Sequence, residues 1–149
     1  MVADQLSKTG TPTTCPIAVI VRDEKILLGM RNYTADKWKE ISVWIPPGGR
    51  CEADETVEMA LRREIREEVG ITRLEITDYI GEAPGAREGD TIVMFFCSTE
   101  EDPVLREPEN FSEWRWVPAE ELVDGSPFVE VNPPAFAMIK EFLKKKLSS

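Results

Sequence analysis

Residues 48–71 constrain this chain more than any other stretch, because their middle predicts a helix that carries glutamates inside its apolar face. Residues 56–69 contain no Gly or Pro. Apolar side chains recur there at four-residue spacing, at Val57, Leu61, Ile65 and Val69. At about 100° per residue, Glu64 and Glu68 fall within the same arc. The helix is therefore expected to bury carboxylates against the core.

Three carboxylates are predicted to lie within about one turn of this helix, since Glu64, Glu67 and Glu68 stand at i, i+3 and i+4. Desolvated carboxylates held close together repel one another, which raises a pKa unless a cation neutralises them. Mg²⁺ prefers oxygen ligands and is commonly held by a few carboxylates together with substrate phosphates. The alternative is a solvated helix with Glu/Arg pairs. The position of the glutamates in the apolar arc favours a metal site.

The spacing of this stretch resembles the signature of the Nudix hydrolases, G-x5-E-x7-R-E-U-x-E-E-x-G-U, in which U is aliphatic. The chain matches this signature at every specified position. The matching residues are Gly49, Glu55, Arg63, Glu64, Ile65, Glu67, Glu68, Gly70 and Ile71. The chain's own composition gives a chance match a probability well under about one in a million.

This resemblance implies a Mg²⁺-dependent hydrolase, with Mn²⁺ as a possible substitute, that cleaves a nucleoside diphosphate linked to another group. It implies that Glu64, Glu67 and Glu68 are metal ligands and that the Gly48 or Gly49 carbonyl joins them. Arg63 is expected to orient a glutamate, and Glu55 is expected to support the helix.

The general base is expected to be a carboxylate, because the chain has no histidine for a Ser-His-Asp or Cys-His site. Glu64 is the first choice. The second choice is a downstream carboxylate, with candidates at Glu82, Glu107, Glu109 and Glu113. The three cysteines are predicted to be reduced thiols, with neither a disulfide framework nor a zinc pattern.

Two groups of side chains are candidates for substrate binding. Aromatic side chains that could stack on a base are Tyr33, Trp38, Trp44, Phe96 and Phe128. Side chains that could meet phosphates or a base edge are Arg31, Asn32, Lys37, Arg50 and Arg87. The default substrate is a (deoxy)nucleoside triphosphate, which would yield the monophosphate and pyrophosphate. The alternatives are an ADP-ribose, nucleotide-sugar or dinucleoside polyphosphate pyrophosphatase, and a nucleotide-sensing module without turnover.

Length and charge predict one small, acidic domain. The 149 residues suit a single domain at 14–149, preceded by a flexible arm at 1–13. The net charge of −10 disfavours a nucleic-acid partner and an anionic membrane surface. No apolar run approaches about 18 residues, and no signal-peptide pattern is present, so a soluble cytoplasmic protein is expected. A homodimer is possible, but nothing in the sequence selects an oligomeric state.

Strand and helix patterns alternate irregularly, which predicts an α/β fold with a mixed β-sheet. The resemblance implies the Nudix α/β/α sandwich, in which that sheet lies between helices. Strands are predicted at residues 15–21, 25–30, 43–45, 74–80, 91–97 and 113–117. Helices are predicted at residues 56–69, 118–122 and 135–147. Asp54 is the predicted N-cap of the first helix and Gly70 its C′ residue.

Overall fold

A computed structural model describes residues 1–32, 42–85, 87–128 and 132–148. Its helices are α1 (Val2–Leu6), α2 (Val57–Val69) and α3 (Pro133–Leu147), with a 3₁₀ turn at Ala119–Glu121. Its strands are β1 (Thr14–Arg22), β2 (Lys25–Arg31), β3 (Val43–Ile45), β4 (Glu75–Pro84), β5 (Thr91–Ser98) and β6 (Phe111–Pro118). The predicted strands and both long helices are confirmed. In the described part of the chain, no helix has the length and apolar character needed to cross a membrane.

The β4 strand is longer than predicted. The run of Gly and Pro at residues 81–90 predicted a loop, whereas β4 continues to Pro84. Pairing with β5 maintains the strand through Pro84↔Thr91, and the register shifts twice along the way. Such β-bulges absorb the irregular residues without ending the ladder.

Strands β1 and β2 form a hairpin. Asp23 and Glu24 connect them and both have positive φ, at 52° and 61°, as a type I′ turn requires. Within the described residues the two strands pair only beside this turn, at Val21↔Ile26 and Arg22↔Lys25. Beyond these pairs the strands diverge, which opens space between the two halves of the sheet.

Among the described residues the sheet has six strands, and it is mixed, as predicted. Strand β1 runs parallel to β5, from Thr14↔Thr91 to Ile20↔Cys97, and β5 pairs with β4 antiparallel. Strand β2 pairs antiparallel with β3 and β6. The order is β3-β2-β1-β5-β4, with β6 attached to β2.

Helices cover both faces of this sheet, which confirms the α/β/α sandwich. Ala18 and Ile20 of β1 pack in the cluster that includes Leu61 and Ile65 of α2. Val19, which faces the opposite way, packs in the cluster that includes the apolar face of α3. The continuous apolar run of β1 follows from this burial on both faces.

Helix α2 begins at a different cap from the one predicted. Thr56 is the N-cap, and its side chain accepts a hydrogen bond from Met59 N–H at 3.1 Å. Asp54 has φ +68° and lies in the turn before the helix. Gly70 ends the helix as predicted, with φ +70° and its N–H donated to Arg66 O.

The first residues pack against the start of α2, which their polar composition did not indicate. Leu6 of α1 is buried in the α2 cluster. Val57 N–H donates to Lys8 O at 2.8 Å, and Gly10 N–H donates to Glu55 O at 3.0 Å. The division into an arm at 1–13 and a domain at 14–149 stays a prediction.

Candidate functional site

A cavity of about 570 Å³ lies where β1 and β2 diverge. Glu64 and Glu68 of α2 and the glycines after β3 form one wall. Arg31 at the end of β2 and Glu107 from the β5–β6 loop lie on other parts of its surface. The cavity therefore gathers residues from parts of the chain that are far apart in sequence.

The Gly48–Gly49 loop runs along β1. Ala18 N–H donates to Pro47 O at 2.9 Å and Gly49 N–H donates to Pro16 O at 3.2 Å. These two bonds flank Gly48, so its own N–H and C=O face away from β1. The N–H donates to Glu68 Oε1 at 3.0 Å.

Close approach requires glycine at position 48 and brings the position 49 backbone against the Glu64 carboxylate. Gly48 has φ +153°, and a Cβ there would lie 2.7 Å from the Ile17 Cα. A Cβ at Gly49 would lie 2.5 Å from the carboxyl carbon of Glu64. The predicted approach of backbone to glutamate is therefore a feature of the fold.

Glu68 is a buried carboxylate, with only 5% of its surface exposed. Burial raises the pKa of Glu68 well above its ordinary value, and the charges of Glu64 and Glu107 raise it further. The Gly48 N–H acts in the opposite direction. Burial also raises the pKa of Glu64, against the lowering effect of Arg63.

Arg63 ties the glutamates of the motif together. Its Nε and Nη2 donate to the two oxygens of Glu55 at 2.7 and 2.9 Å. Its Nη1 donates to Glu64 at 2.9 Å and to Glu67 at 3.0 Å. Its Nη2 also donates to Arg50 O at 3.0 Å, which attaches the glycine loop to α2. The planar fork of an arginine suits this set of acceptors.

We expect Glu55→Gln to flatten the acid dependence of folding stability. Hydrogen bonds from Arg63 are the main cause that lowers the pKa of Glu55 to about 2. A carboxylate with a lower pKa in the folded state stabilises fully above its unfolded pKa of about 4.5, and loses this contribution as the pH falls towards 2. Urea unfolding between pH 6 and pH 2 should show a steeper loss of unfolding free energy in the wild type than in Glu55→Gln.

The matched control for this experiment is Thr56→Ala. It removes the neighbouring helix cap, worth about 1 kcal/mol, without removing a titratable group. Its unfolding free energy should be lower than that of the wild type by a similar amount at every pH. Equal pH slopes for Glu55→Gln and the wild type would contradict the assignment of Glu55.

The three predicted metal ligands do not converge in the structure. Glu64 and Glu68 line the cavity, whereas Glu67 is 42% exposed and held by Arg63. Among the residues that the structure describes, no three acidic or cysteine side chains lie close enough together to hold a metal ion as they stand. The physical reason is Arg63, whose Nη1 donates to both Glu64 and Glu67 and so pairs these two carboxylates with a guanidinium.

The donor set nevertheless fits a hard divalent cation. In the described residues, Glu68 accepts a hydrogen bond from Gly48 N–H and forms no ion pair with a lysine or arginine. A buried carboxylate without a cationic partner is costly, and Glu64 and Glu107 add like charge beside it. Oxygen ligands of this kind are those that Mg²⁺ and Mn²⁺ prefer.

Three of the predicted phosphate-binding residues line the cavity, but only two have available side chains. Arg31 packs over the Phe111 ring, and its buried Nε has no hydrogen-bond partner in the described part of the chain. Arg87 is exposed on the β4–β5 hairpin. Arg50 donates to Asp90 and to Pro12 O. Its guanidinium is therefore not free for the predicted contact with substrate.

The predicted base-stacking role of Trp44 is not supported by its position. Trp44 is 7% exposed and packs against Phe128, with ring centroids 5.3 Å apart. Phe96 packs against Phe142 of α3. None of Trp44, Phe96 and Phe128 is among the residues that line the cavity. The other candidates, Tyr33, Lys37 and Trp38, lie outside the described residues.

Of the four downstream carboxylate candidates, Glu107 lines the cavity and Glu82, Glu109 and Glu113 do not. Asn110 Nδ2 donates to Glu107 Oε1 at 3.2 Å, which fixes the carboxylate within its loop. The sequence held no signal to separate these four residues, since all lie in polar segments.

Sequence reasoning missed Asp90, Cys15 and Asn132, which also line the cavity. The parallel pairing of β1 with β5 brings Cys15 and Asp90 to it. Asn132 caps α3 through Ala135 N–H and donates its Nδ2 to Pro84 O. An N-cap signal was available for Asn132, but the long-range pairing was not readable from local pattern.

Comparison with known proteins supports the same family. A family model described as NUDIX domain matches residues 13–142. An oxidized purine nucleoside triphosphate hydrolase from Danio rerio is 30% identical over 132 residues, which cover 87% of this chain and 79% of that protein. The NAD-capped RNA hydrolase NudC from Mannheimia succiniciproducens is 28% identical over 135 residues, covering 89% of this chain and 49% of that protein. A CTP pyrophosphohydrolase from Escherichia coli is 46% identical over 54 residues, or 36% of this chain and 38% of that protein.

The chain thus spans half or less of the length of two of these curated relatives. Among solved structures, a MutT NUDIX hydrolase from Burkholderia pseudomallei matches with a TM-score of 0.62 and 27% identity, covering 87% of this chain and 98% of that chain. A NUDIX hydrolase from Nitrosomonas europaea matches in fold, with a TM-score of 0.73 at 16% identity over 95% of this chain and 74% of that chain. The motif, the α/β/α sandwich and these matches together make this chain a member of the Nudix hydrolase family.

Proposed function

We propose that this chain is a divalent-metal-dependent pyrophosphohydrolase that converts a (deoxy)nucleoside triphosphate into the monophosphate and pyrophosphate. The observation that carries this proposal is the pair of desolvated carboxylates, Glu64 and Glu68, beside the Gly48–Gly49 backbone in one cavity. The similarity to an oxidized purine nucleoside triphosphate hydrolase over most of both chains supports the substrate class.

In this proposal Glu64, Glu67 and Glu68 hold the metal, together with the Gly48 carbonyl. A divalent cation in such a site neutralises phosphate oxygen charge and lowers the pKa of a water molecule. Gly48 N–H fixes one oxygen of Glu68, and Arg63 fixes one oxygen of Glu64. Both carboxylates are thereby oriented before substrate binds, which lowers the reorganisation needed in the transition state.

Arg31 is our assignment for the main phosphate contact. Its guanidinium lines the same cavity as the glutamates and is anchored by stacking on Phe111 rather than by a carboxylate. Phosphate oxygens are strong acceptors for a guanidinium. Arg87, at the exposed hairpin, is placed to meet the outer part of the nucleotide.

The reaction requires a base that takes a proton from water as the water oxygen attacks phosphorus and the bridging P–O bond breaks. Glu64 remains our first assignment, because it lies against the Gly49 backbone in the cavity. Glu107 is our assignment for the downstream carboxylate that completes the site, since it lines the cavity and acts electrostatically on both Glu64 and Glu68.

A second candidate is the same cleavage of a pyrophosphate that links two nucleosides. The similarity to the NAD-capped RNA hydrolase NudC over 89% of this chain supports dinucleotides as a second class of substrate. We propose a small nucleotide partner as part of the same function, because the net charge of −10 repels a polyanion. A cytoplasmic location is part of the same proposal. A sensing module without turnover is disfavoured because all three motif glutamates are present.

The test is a product-resolved hydrolysis screen with and without Mg²⁺. Its panel contains standard and oxidised (deoxy)nucleoside triphosphates, ADP-ribose and a dinucleoside polyphosphate. We expect metal-dependent release of pyrophosphate and a nucleoside monophosphate from a triphosphate. Cleavage of the linked dinucleotides alone would replace the substrate assignment, and nucleotide binding without turnover of any compound would favour the sensor.

A further inference from the structure

Asp90 is a buried acid beside the cavity that the proposed reaction does not use. Its side chain is 4% exposed. Both of its oxygens accept from Arg50, at 2.7 Å from Nη1 and 2.5 Å from Nη2. Its backbone is fixed in the β4–β5 hairpin, where Asp90 N–H donates to Arg87 O and Asp90 O accepts from Gly85 N–H. The carboxylate is therefore a rigid, bidentate acceptor.

Arg50 follows the glycine loop directly, so its side chain starts next to the carboxylates. Gly49 lies against Glu64, and both Arg50 and Glu64 line the cavity. The charges of Arg50, Asp90 and Glu64 all act on the Cys15 thiol, which lies among them. The Arg50 side chain therefore shares the cavity with Glu64, which pairs with Arg63, and with Glu68, which forms no ion pair among the described residues.

Two partners other than the motif glutamates bind the Arg50 guanidinium. Asp90 takes both terminal nitrogens, and Pro12 O accepts a further bond from Nη1 at 3.0 Å. Bidentate pairing of arginine with a carboxylate is among the strongest side-chain interactions. Once released from Asp90, Arg50 would share the cavity with Glu64 and with Glu68, whose carboxylate has no cationic partner among the described residues, and it would compete there with a divalent cation.

We propose that Asp90 is a positioning residue that holds Arg50 away from Glu64 and Glu68 and thereby keeps these carboxylates available to a divalent cation. The inference rests on the proposed metal dependence, and it assigns Arg50 a role other than substrate binding. It explains why Arg50, which directly follows the glycine loop, pairs with Asp90 and not with Glu64 or Glu68.

The test measures Mn²⁺ affinity of the full chain by electron paramagnetic resonance, with hydrolysis rates in parallel. Asp90→Asn should weaken Mn²⁺ binding about tenfold or more, the usual effect of losing a residue that supports metal ligands. Asp90→Asn combined with Arg50→Met should bind Mn²⁺ within about threefold of the wild type, because the competing cation is gone.

Asp102→Asn is the matched control. Asp102 accepts a single bond from Arg22 at 2.8 Å, and Arg22 also donates to the carbonyls of Thr99 and Glu101, so this variant removes an Asp–Arg pair outside the cavity. This variant should leave Mn²⁺ affinity and hydrolysis unchanged. If Asp90→Asn does not fold, Asp90→Asn/Arg50→Lys and Asp90→Asn/Arg50→Met allow the same comparison, since only the first retains a released cation.

Unchanged Mn²⁺ affinity in folded Asp90→Asn would overturn the proposal. Weakened affinity that Arg50→Met does not restore would also overturn it, because Asp90 would then act by ordering the loop. A wild-type chain that binds Mn²⁺ but hydrolyses nothing in the screen contradicts the proposed function and leaves this inference standing. A wild-type chain that binds no Mn²⁺ contradicts both.

Discussion

Replacing Glu68 with Gln is expected to lower kcat for nucleotide hydrolysis by at least about 100-fold and to leave the fold intact. A divalent cation stabilises transition-state charge by several kcal/mol, and each 1.4 kcal/mol corresponds to about a tenfold change in rate. The amide keeps the shape of the side chain and one acceptor for Gly48 N–H, but it removes the negative charge. Rates at saturating substrate and Mn²⁺ titration of the same sample measure the effect.

The stability of this variant should move in the opposite direction to its activity. Without metal, Glu68 is a desolvated carboxylate with like charges nearby, so a neutral side chain should raise or preserve the unfolding free energy. Glu58→Gln is the control on the same helix, where the carboxylate pairs with Arg62 outside the cavity. Its rate should stay within about twofold of the wild type. Full turnover in Glu68→Gln would show that the metal site is assigned to the wrong residues.

Replacing Arg63 with Met is expected to reduce both stability and activity. The guanidinium is 18% exposed and bonds Glu55, Glu64, Glu67 and Arg50 O. Removing one partner of a buried ion pair typically costs about 3–5 kcal/mol, because the carboxylates lose their cation. For a domain of this size, that corresponds to a fall in Tm of about 6–20 °C. Thermal and urea unfolding measure it directly.

Two further variants are compared with Arg63→Met. Arg63→Lys keeps the charge but not the planar set of donors, so it should recover only part of the lost stability. Arg66→Met removes an exposed arginine of the same helix and should change the unfolding free energy by no more than about 0.5 kcal/mol. An Arg63→Met protein as stable as the wild type would show that the four contacts contribute little.

The parts of the site that the sequence predicted are those encoded over a few residues. The helical period placed Glu68 within the apolar face of α2, and the structure buries it. The paired glycines predicted a close backbone approach, and Gly49 lies against Glu64. Spacing along one helix and one loop carries this information because those residues are neighbours in space through local geometry alone.

The parts that the sequence did not predict depend on contacts between distant segments. An aromatic residue beside a motif can face the cavity or the core, and long-range packing, including the contact with Phe128, places Trp44 in the core. The engagement of Arg50 depends on the register of β1 with β5, which brings Asp90 to the glycine loop. The choice of Glu107 among four candidates depends on the path of the β5–β6 loop.

The parallel pairing of β1 with β5 also has a consequence for how the protein folds. Thr14 pairs with Thr91, so the chain between them, which includes all of α2, forms a loop that closes when these strands meet. Long-range closure of this kind is slower than helix formation. Helix α2 can therefore form early, whereas the walls of the cavity come together only with the late strand pairing. An isolated peptide that carries the whole motif would lack Arg31, Asp90 and Glu107, and with them most of the binding surface.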